Sequence, residues 1–348
     1  MIGSAFKGLG RGFAESLFQS QASPFIGLFI GILATGLIQS SSTTTSLVVG
    51  MVAAGTFGSD PKLAVAAAVP YIMGANIGTS ITNTIVSLGH IVNKEEFKRA
   101  FSASVVHDFF NILAVIVIFP LELAFGIISK FAMTLSTVLV GGGGGTFTSP
   151  VKLITKPTVK WIENLFQQQS VIEPNVFLLI TALAFLFFSL RNLTKLIKSL
   201  VMFRLQAFFD THIFKTTIRA VLFGALITIL VQSSSITTSL VIPLAGAGIL
   251  SLRQIFPYTL GANIGTTITS LLASMVSGTI APLAVALSHL SFNILGISLL
   301  YPIKFVREIP IRLAEWFSDL ATQNKIYPLL YILIVFFLIP LSLISLVR

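Results

Sequence analysis

The sequence predicts an all-α membrane protein built from two inverted repeats. Three observations carry that prediction: an apolar composition, a set of polar motifs written twice, and loops of unequal charge in the two copies. Of 348 residues, 54% are hydrophobic and 10% charged, which leaves too little polar surface for a soluble chain of this size. The string Gln-Ser-Ser-Ser stands at Gln39–Ser42 and again at Gln232–Ser235, each time inside apolar sequence. The context repeats too, with Gly36-Leu-Ile-Gln-Ser-Ser-Ser-Thr-Thr-Thr-Ser-Leu-Val-Val49 matching Ile229-Leu-Val-Gln-Ser-Ser-Ser-Ile-Thr-Thr-Ser-Leu-Val-Ile242.

From the N-terminus, residues 1–23 read as an interfacial amphipathic helix. Ser4 to Phe18 carries Lys7, Arg11 and Glu15 without the continuous apolar run of a cleavable signal. The first repeat, 24–120, opens with the segment centred on Gln-Ser-Ser-Ser. Its halves of about 12 to 15 residues are too short to span alone, which predicts a re-entrant helical hairpin. Next comes Pro70-Tyr-Ile-Met-Gly-Ala-Asn-Ile-Gly-Thr-Ser-Ile-Thr82, read as a broken transmembrane helix; a single kinked helix is the alternative for either segment. A continuous helix follows, expected to begin near the histidine of His107-Asp-Phe-Phe-Asn-Ile-Leu113.

Residues 121–175 are expected to form an external connection, with Gly141–Gly145 as a flexible linker. The second repeat, 176–303, carries Pro257-Tyr-Thr-Leu-Gly-Ala-Asn-Ile-Gly-Thr-Thr-Ile-Thr269 and His289-Leu-Ser-Phe-Asn-Ile-Leu295 in the same order. It opens with an apolar helix, Val176 to Leu190, that the first repeat lacks. Residues 304–348 read as an amphipathic segment and a last transmembrane helix.

The formal charge of +10 lies in short loops between apolar segments, so it reads as a topology signal and not as a nucleic-acid surface. The loop His90 to Ala100 carries Lys94, Lys98 and Arg99, whereas its counterpart Val276 to Pro282 carries no charge. The positive-inside bias puts the first in the cytoplasm and the second outside. If the Gln-Ser-Ser-Ser segments are hairpins, the crossings Leu63 to Leu88, Phe101 to Phe119 and Val176 to Leu190 separate the units. An odd number of crossings inverts the second copy.

A helix that starts inside the membrane presents free N–H groups to an anion, and one that ends there presents carbonyls to a cation. Serine and threonine hydroxyls serve either ion, and a glutamine carbonyl serves a cation. Neutral oxygen ligands suit a monovalent ion such as sodium. With zero cysteines and no histidine cluster, disulfides, thiolate sites and a transition metal are excluded as readings. The serines have no histidine and carboxylate partners within either repeat, which argues against an enzyme.

Asn76 and Asn263 either aim amides at the site or cap the break in their own helix. Asp108, opposite Leu290 in the second copy, is a carboxylate in an apolar helix. It marks a cation site or a pairing with Arg99 or His107. His107 and His289 read as helix-start or packing residues before proton relays. The competing readings of the whole chain are a passive anion channel, a symporter of another small oxyanion, or a scaffold whose repeats only pack.

These motifs, together with Glu96-Phe-Lys-Arg-Ala-Phe-Ser-Ala-Ser-Val-Val-His-Asp-Phe-Phe-Asn111, resemble the type II sodium-dependent phosphate cotransporters over Ser4 to about Ile303. The resemblance implies symport of inorganic phosphate, preferably divalent, driven by sodium through elevator-type alternating access. Carried over by position, it implies sodium ligands at Gln232, Ser233, Thr266 and Thr269, with Gln39, Ser40, Thr79 and Thr82 in the equivalent places. Phosphate is then held between the two tips, at Ser41, Ser42, Ser234 and Ser235, with Asn76 and Asn263 nearby. Asp108 matches the aspartate of charge-moving relatives, which implies electrogenic transport and adds it to the sodium set. No cofactor is expected beyond the co-transported sodium. The expected partners are phosphate, sodium and the lipid bilayer, with a homodimer compatible. The missing cysteines point to a multi-pass protein of the bacterial cytoplasmic membrane.

Overall fold

The computed structural model describes residues 23–141, 213–275 and 279–347, with short helical fragments between 157 and 165 and at residue 181. The N-terminal amphipathic stretch, the glycine linker and the apolar helix expected over 176–190 fall outside these residues, apart from Ser23, Gly141 and Thr181. Every regular element among the described residues is helical. Four helices are long and apolar enough to cross a membrane: Pro61–His90, Lys94–Phe125, Ile280–Leu300 and Tyr327–Leu346. This is an all-α membrane protein.

Helix α1, Pro24–Ile38, starts on Ser23, whose Oγ accepts the Phe25 N–H, and on Pro24, whose fixed φ suits a first helical turn. It stops at Gln39 and α2 runs over Ser41–Ala54. At 15 and 14 residues, both are about 22 Å long, short of a roughly 30 Å hydrocarbon layer. Helix α3, Pro61–Ile77, is capped by the Asp60 carboxylate, continues into a 3₁₀ turn at Gly78–Ser80 and resumes as α4, Ile81–Ser87.

Helix α5 covers Lys94–Phe125, and so begins thirteen residues before His107. The expectation of a start near the histidine is corrected here. Asn93 caps the helix by accepting the Glu95 and Glu96 N–H groups, and both acids complement the dipole of its first turn. The opening of the expected connection 121–175 is itself helical, as α6, Ile127–Gly141. Glu122 at the end of α5 accepts the N–H groups of Ile128 at 2.6 Å and Ser129 at 3.2 Å, so one carboxylate caps the next helix across the single residue Gly126.

The second unit repeats the order with α7, Thr217–Val231; α8, Ser234–Gly246; α9, Leu252–Met275; and α10, Ile280–Leu300. Helix α9 runs without interruption through Gly-Ala-Asn-Ile-Gly-Thr, so the broken helix expected in this copy is corrected to a continuous one. Thr266 and Thr267 return their hydroxyls to the Ala262 and Ile264 carbonyls at 2.9 and 2.7 Å and stay within the α-helical ladder.

Within each unit the outer pair packs backbone to backbone. A Cβ on Gly31 of α1 would overlap the Tyr71 carbonyl, and one on Gly74 of α3 the Leu28 carbonyl. In the second unit Gly224 and Gly261 stand in the same way against the Tyr258 and Val221 carbonyls. Small residues at such crossings let membrane helices approach closely.

Helix α11, Lys304–Gln323, is amphipathic. It buries Ile311, Ala314, Phe317 and Ala321 and exposes Phe305 and Trp316. Arg253 bonds Glu308 at 2.7 Å, and this hydrogen bond holds the Glu308 carboxyl below its usual range. The last segment comprises α12, Tyr327–Leu333, a π turn at Ile334–Leu338 and α13, Ile339–Val347.

Candidate functional site

The two Gln-Ser-Ser-Ser strings fold alike at atomic detail. Gln39 and Gln232 are the non-glycine residues with positive φ among the described residues, at 58° and 57°. Their N–H groups close the preceding helices on the Thr35 and Thr228 carbonyls, both at 2.7 Å. A non-glycine residue in this region is strained by roughly 1–2 kcal/mol, so the side chain must compensate. It does so at both ends. Gln232 Nε2 donates to the Ile229 carbonyl at 2.5 Å, while its Oε1 accepts the Thr269 hydroxyl at 2.8 Å. Gln39 makes the same pair of bonds, to the Gly36 carbonyl and, at 3.0 Å, from the Thr82 hydroxyl.

Ser40 and Ser233 then start the next helices as N-caps, accepting the Thr43 and Ile236 N–H groups at 3.3 and 3.4 Å. The first turns of α2 and α8 contain no acidic residue. Ser41, Ser42, Ser234 and Ser235 are buried there. Of the cation ligands that the resemblance implies, Gln39 with Thr82 and Gln232 with Thr269 are brought into direct contact. Thr79 and Thr266 are buried on the turns beside them, with hydroxyls returned to the Ala75 and Ala262 carbonyls at 3.2 and 2.9 Å.

The units meet crosswise. Helix α8 packs on α4 and α5 of the first unit, and α2 packs on α9 and α10 of the second. At this seam Ser235 donates to the Thr79 carbonyl at 3.3 Å, and Thr238 to Asn83 Oδ1 at 2.9 Å. One serine tip therefore rests on the turn that interrupts the other unit's helix.

Asn76 and Asn263 belong to a buried hydrogen-bond network that joins the two units. Asn76 Nδ2 donates to Asn111 Oδ1 and Asn293 Oδ1, each at 3.1 Å, and Asn263 Nδ2 donates to Asn111 Oδ1 at 2.8 Å. Asn111 and Asn293 reach the Asn76 and Asn263 carbonyls at 2.9 and 3.4 Å. His107 Nε2 meets Asn263 Oδ1, and His289 Nε2 meets Asn76 Oδ1 at 3.5 Å. All six residues are at most 2% exposed. Exchanging the two units maps this set of bonds approximately onto itself.

Both histidines are thus interior to their helices and tie one unit to the other. The sequence reading missed Asn111 and Asn293, although each stands four residues after its histidine, the spacing that places both side chains on one helix face.

Asp108 lies apart from this network. It is fully buried, and its Oδ2 accepts the Tyr331 hydroxyl at 3.1 Å. Tyr331 was not anticipated, because it belongs to a helix more than two hundred residues away. The Arg99 guanidinium, considered as a partner for Asp108, bonds the Gly246 carbonyl at 3.0 and 2.8 Å.

A family profile described as Na+/Pi-cotransporter matches residues 1–141 and 185–313. Sodium-dependent phosphate transport protein 2B of Homo sapiens is 34% identical, over 98% of this chain and 62% of that protein. Sodium-dependent phosphate transport protein 2A of Ovis aries is also 34% identical, over 98% of this chain and 64% of its own length. The chain thus spans somewhat less than two thirds of these relatives. No solved structure matches it. With the profile covering most of the chain and both copies of the motif set, the chain belongs to the Na+/Pi-cotransporter family, a family of transporters and not of enzymes.

Proposed function

We propose that the chain is a sodium-coupled symporter of inorganic phosphate, preferring the divalent form. The observation that carries this reading is the seam of the two units, where Ser235 of one tip bonds the Thr79 carbonyl beside the glutamine–threonine pair of the other. On this reading, the phosphate oxygens take the N-terminal N–H groups of α2 and α8 and the hydroxyls of Ser41, Ser42, Ser234 and Ser235. Sodium takes Gln39, Ser40, Thr79 and Thr82 in one unit and Gln232, Ser233, Thr266 and Thr269 in the other. Asn76 and Asn263 frame the site, their amides being engaged in the buried network.

Coupling follows from charge. Each helix N-terminus supplies roughly half a positive charge, so two offset about half of a divalent oxyanion. The first turns of α2 and α8 consist of Ser41, Ser42, Thr43 and Thr44 in one case and Ser234, Ser235, Ile236 and Thr237 in the other, with no cation among them. Desolvating the remainder is costly, and co-bound sodium removes that cost. Units 24–120 and 176–303 are then inverted copies that present the site alternately to the two sides, in the manner of an elevator. Such an arrangement of half-helices meeting within the membrane is shared by many secondary transporters. The cysteine-free composition supports a bacterial cytoplasmic membrane.

The test is uptake of radiolabelled phosphate into proteoliposomes. Accumulation above the outside concentration is expected only with an inward sodium gradient. Uptake indifferent to sodium, or equal competition by sulfate, rejects the reading, and with the membrane potential clamped at zero a passive channel cannot accumulate phosphate. Asp108 is proposed as part of the charge-moving cation site. Asp108→Gly is expected to preserve phosphate uptake while removing its dependence on membrane potential, and an unchanged current per phosphate would exclude that role.

A further inference from the structure

Buried hydroxyls in both units are mostly returned to a carbonyl three or four residues back, as at Thr44, Thr45, Thr79, Thr237, Thr259 and Thr266. Two are not. Thr35 and Thr228 are fully buried, yet the Oγ1 of each has no hydrogen-bond partner. They occupy the same place in the two copies, four residues before the left-handed glutamine that each receives on its carbonyl at 2.7 Å. Both side chains also press on the same motif glycine: a Cβ built on Gly78 would meet Thr35 Cβ at 2.7 Å, and one on Gly265 would meet Thr228 Cβ at 2.6 Å. The next residues are Thr79 and Thr266. Each unsatisfied hydroxyl therefore stands where the helix break adjoins the Gly-Thr turn.

A buried hydroxyl without a partner destabilises the fold, and one that recurs at matched positions calls for an occupant. The adjoining motif residues carry uncharged oxygens: the glutamine carbonyl, the N-cap serine hydroxyl and two threonine hydroxyls. Among the described residues no group of acids or histidines suits a metal ion. Uncharged oxygen fits a hard monovalent cation that must also leave again. We propose that Thr35 and Thr228 each contribute a hydroxyl ligand to one of two equivalent sodium sites, extending the sets Gln39/Ser40/Thr79/Thr82 and Gln232/Ser233/Thr266/Thr269. The proposal rests on the sodium-coupled reading given above.

The variants Thr228→Val, Thr228→Ser and Thr35→Val test it in the full chain. Thermal unfolding of the purified protein is followed while sodium chloride replaces choline chloride at constant ionic strength and fixed phosphate. Valine has nearly the shape of threonine, so the valine variants are expected to melt in choline at or above the wild-type temperature, since an unpaired group has been removed. Their half-maximal sodium concentration is expected to rise about tenfold or more, the effect of losing one ligand of a bound ion. Thr228→Ser is expected to keep the wild-type midpoint. A midpoint unchanged in both valine variants overturns the proposal, including the case where they melt lower in choline and sodium alike, which marks a packing role or a structural water. Where a valine variant is not monodisperse, Thr→Ala at the same position is judged by the same midpoint. If the wild-type chain itself gains nothing from sodium over choline, the parent reading fails, an outcome distinct from failure of the variants alone.

Discussion

Gln232→Gly is expected to leave the fold intact and to remove most sodium-driven phosphate uptake. Most substitutions at a helix break confound stability with ligation, but a left-handed glutamine separates them. Glycine adopts φ near 57° without the steric cost of a Cβ. Relief of about 1–2 kcal/mol of backbone strain offsets two lost side-chain hydrogen bonds of about 1 kcal/mol each. The melting temperature without sodium should therefore stay near that of the wild type. A carbonyl ligand to a charged group contributes about 1.5–3 kcal/mol, so sodium affinity should fall roughly 10- to 150-fold. Gln39→Gly should behave alike if the two sites are equivalent. Uptake against sodium concentration, measured beside thermal unfolding, decides the matter. Wild-type sodium dependence in both glycine variants would remove the glutamines from the site.

The second large effect is on folding. Gly261→Ala places a methyl group against the Val221 carbonyl, where the obstacle is backbone and cannot rotate away. Overpacking of a core usually costs about 1–3 kcal/mol, and a rigid obstacle puts this case at or above the upper end. Gly74→Ala against the Leu28 carbonyl should cost a similar amount, since the crossing is duplicated. Gly50→Ala is the control. It also lies within a helix, but a Cβ there meets nothing within 4 Å, so the change should be neutral or stabilising by up to about 1 kcal/mol. The yield of monodisperse protein and its unfolding temperature should separate these variants. Wild-type behaviour of Gly261→Ala would mean that α7 and α9 are not in backbone contact.

Much of this architecture is legible in the sequence because hydrocarbon penalises polar residues, so a polar string kept twice in apolar surroundings marks a break. The positions of both glutamines and both N-cap serines follow from that rule. The motif Gly-Ala-Asn-Ile-Gly-Thr shows its limit. The first copy is interrupted at Gly78–Ser80 and the second is not, although the two strings are nearly identical. In the structure the difference goes with a long-range contact: the Thr79 carbonyl receives the Ser235 hydroxyl, while the second turn keeps its hydroxyls within its own helix.

The start of α5 is a different kind of miss. Asn93-Lys-Glu-Glu96 is a capping signal, but its charges read as a cytoplasmic loop. The carboxylate and the basic side chains that signal topology also cap and flank a helix that continues well past them. The Asp108–Tyr331 contact had no local signal at all, because its partner is specified only by how the last segment docks.

That docking sets a phase relation along the C-terminal segment. Tyr331 reaches the buried acid of α5, while Phe336, five positions on, is fully enclosed beside Gly36 of α1. Five residues of an ordinary α-helix rotate a side chain well past one full turn, and the wider winding that begins at Ile334 reduces that angle between Tyr331 and Phe336. The segment is thereby indexed against two different helices at once, as a key is by two wards. Its spacing in this region is as constrained as that of the duplicated core, although its outer side is ordinary lipid-facing leucine.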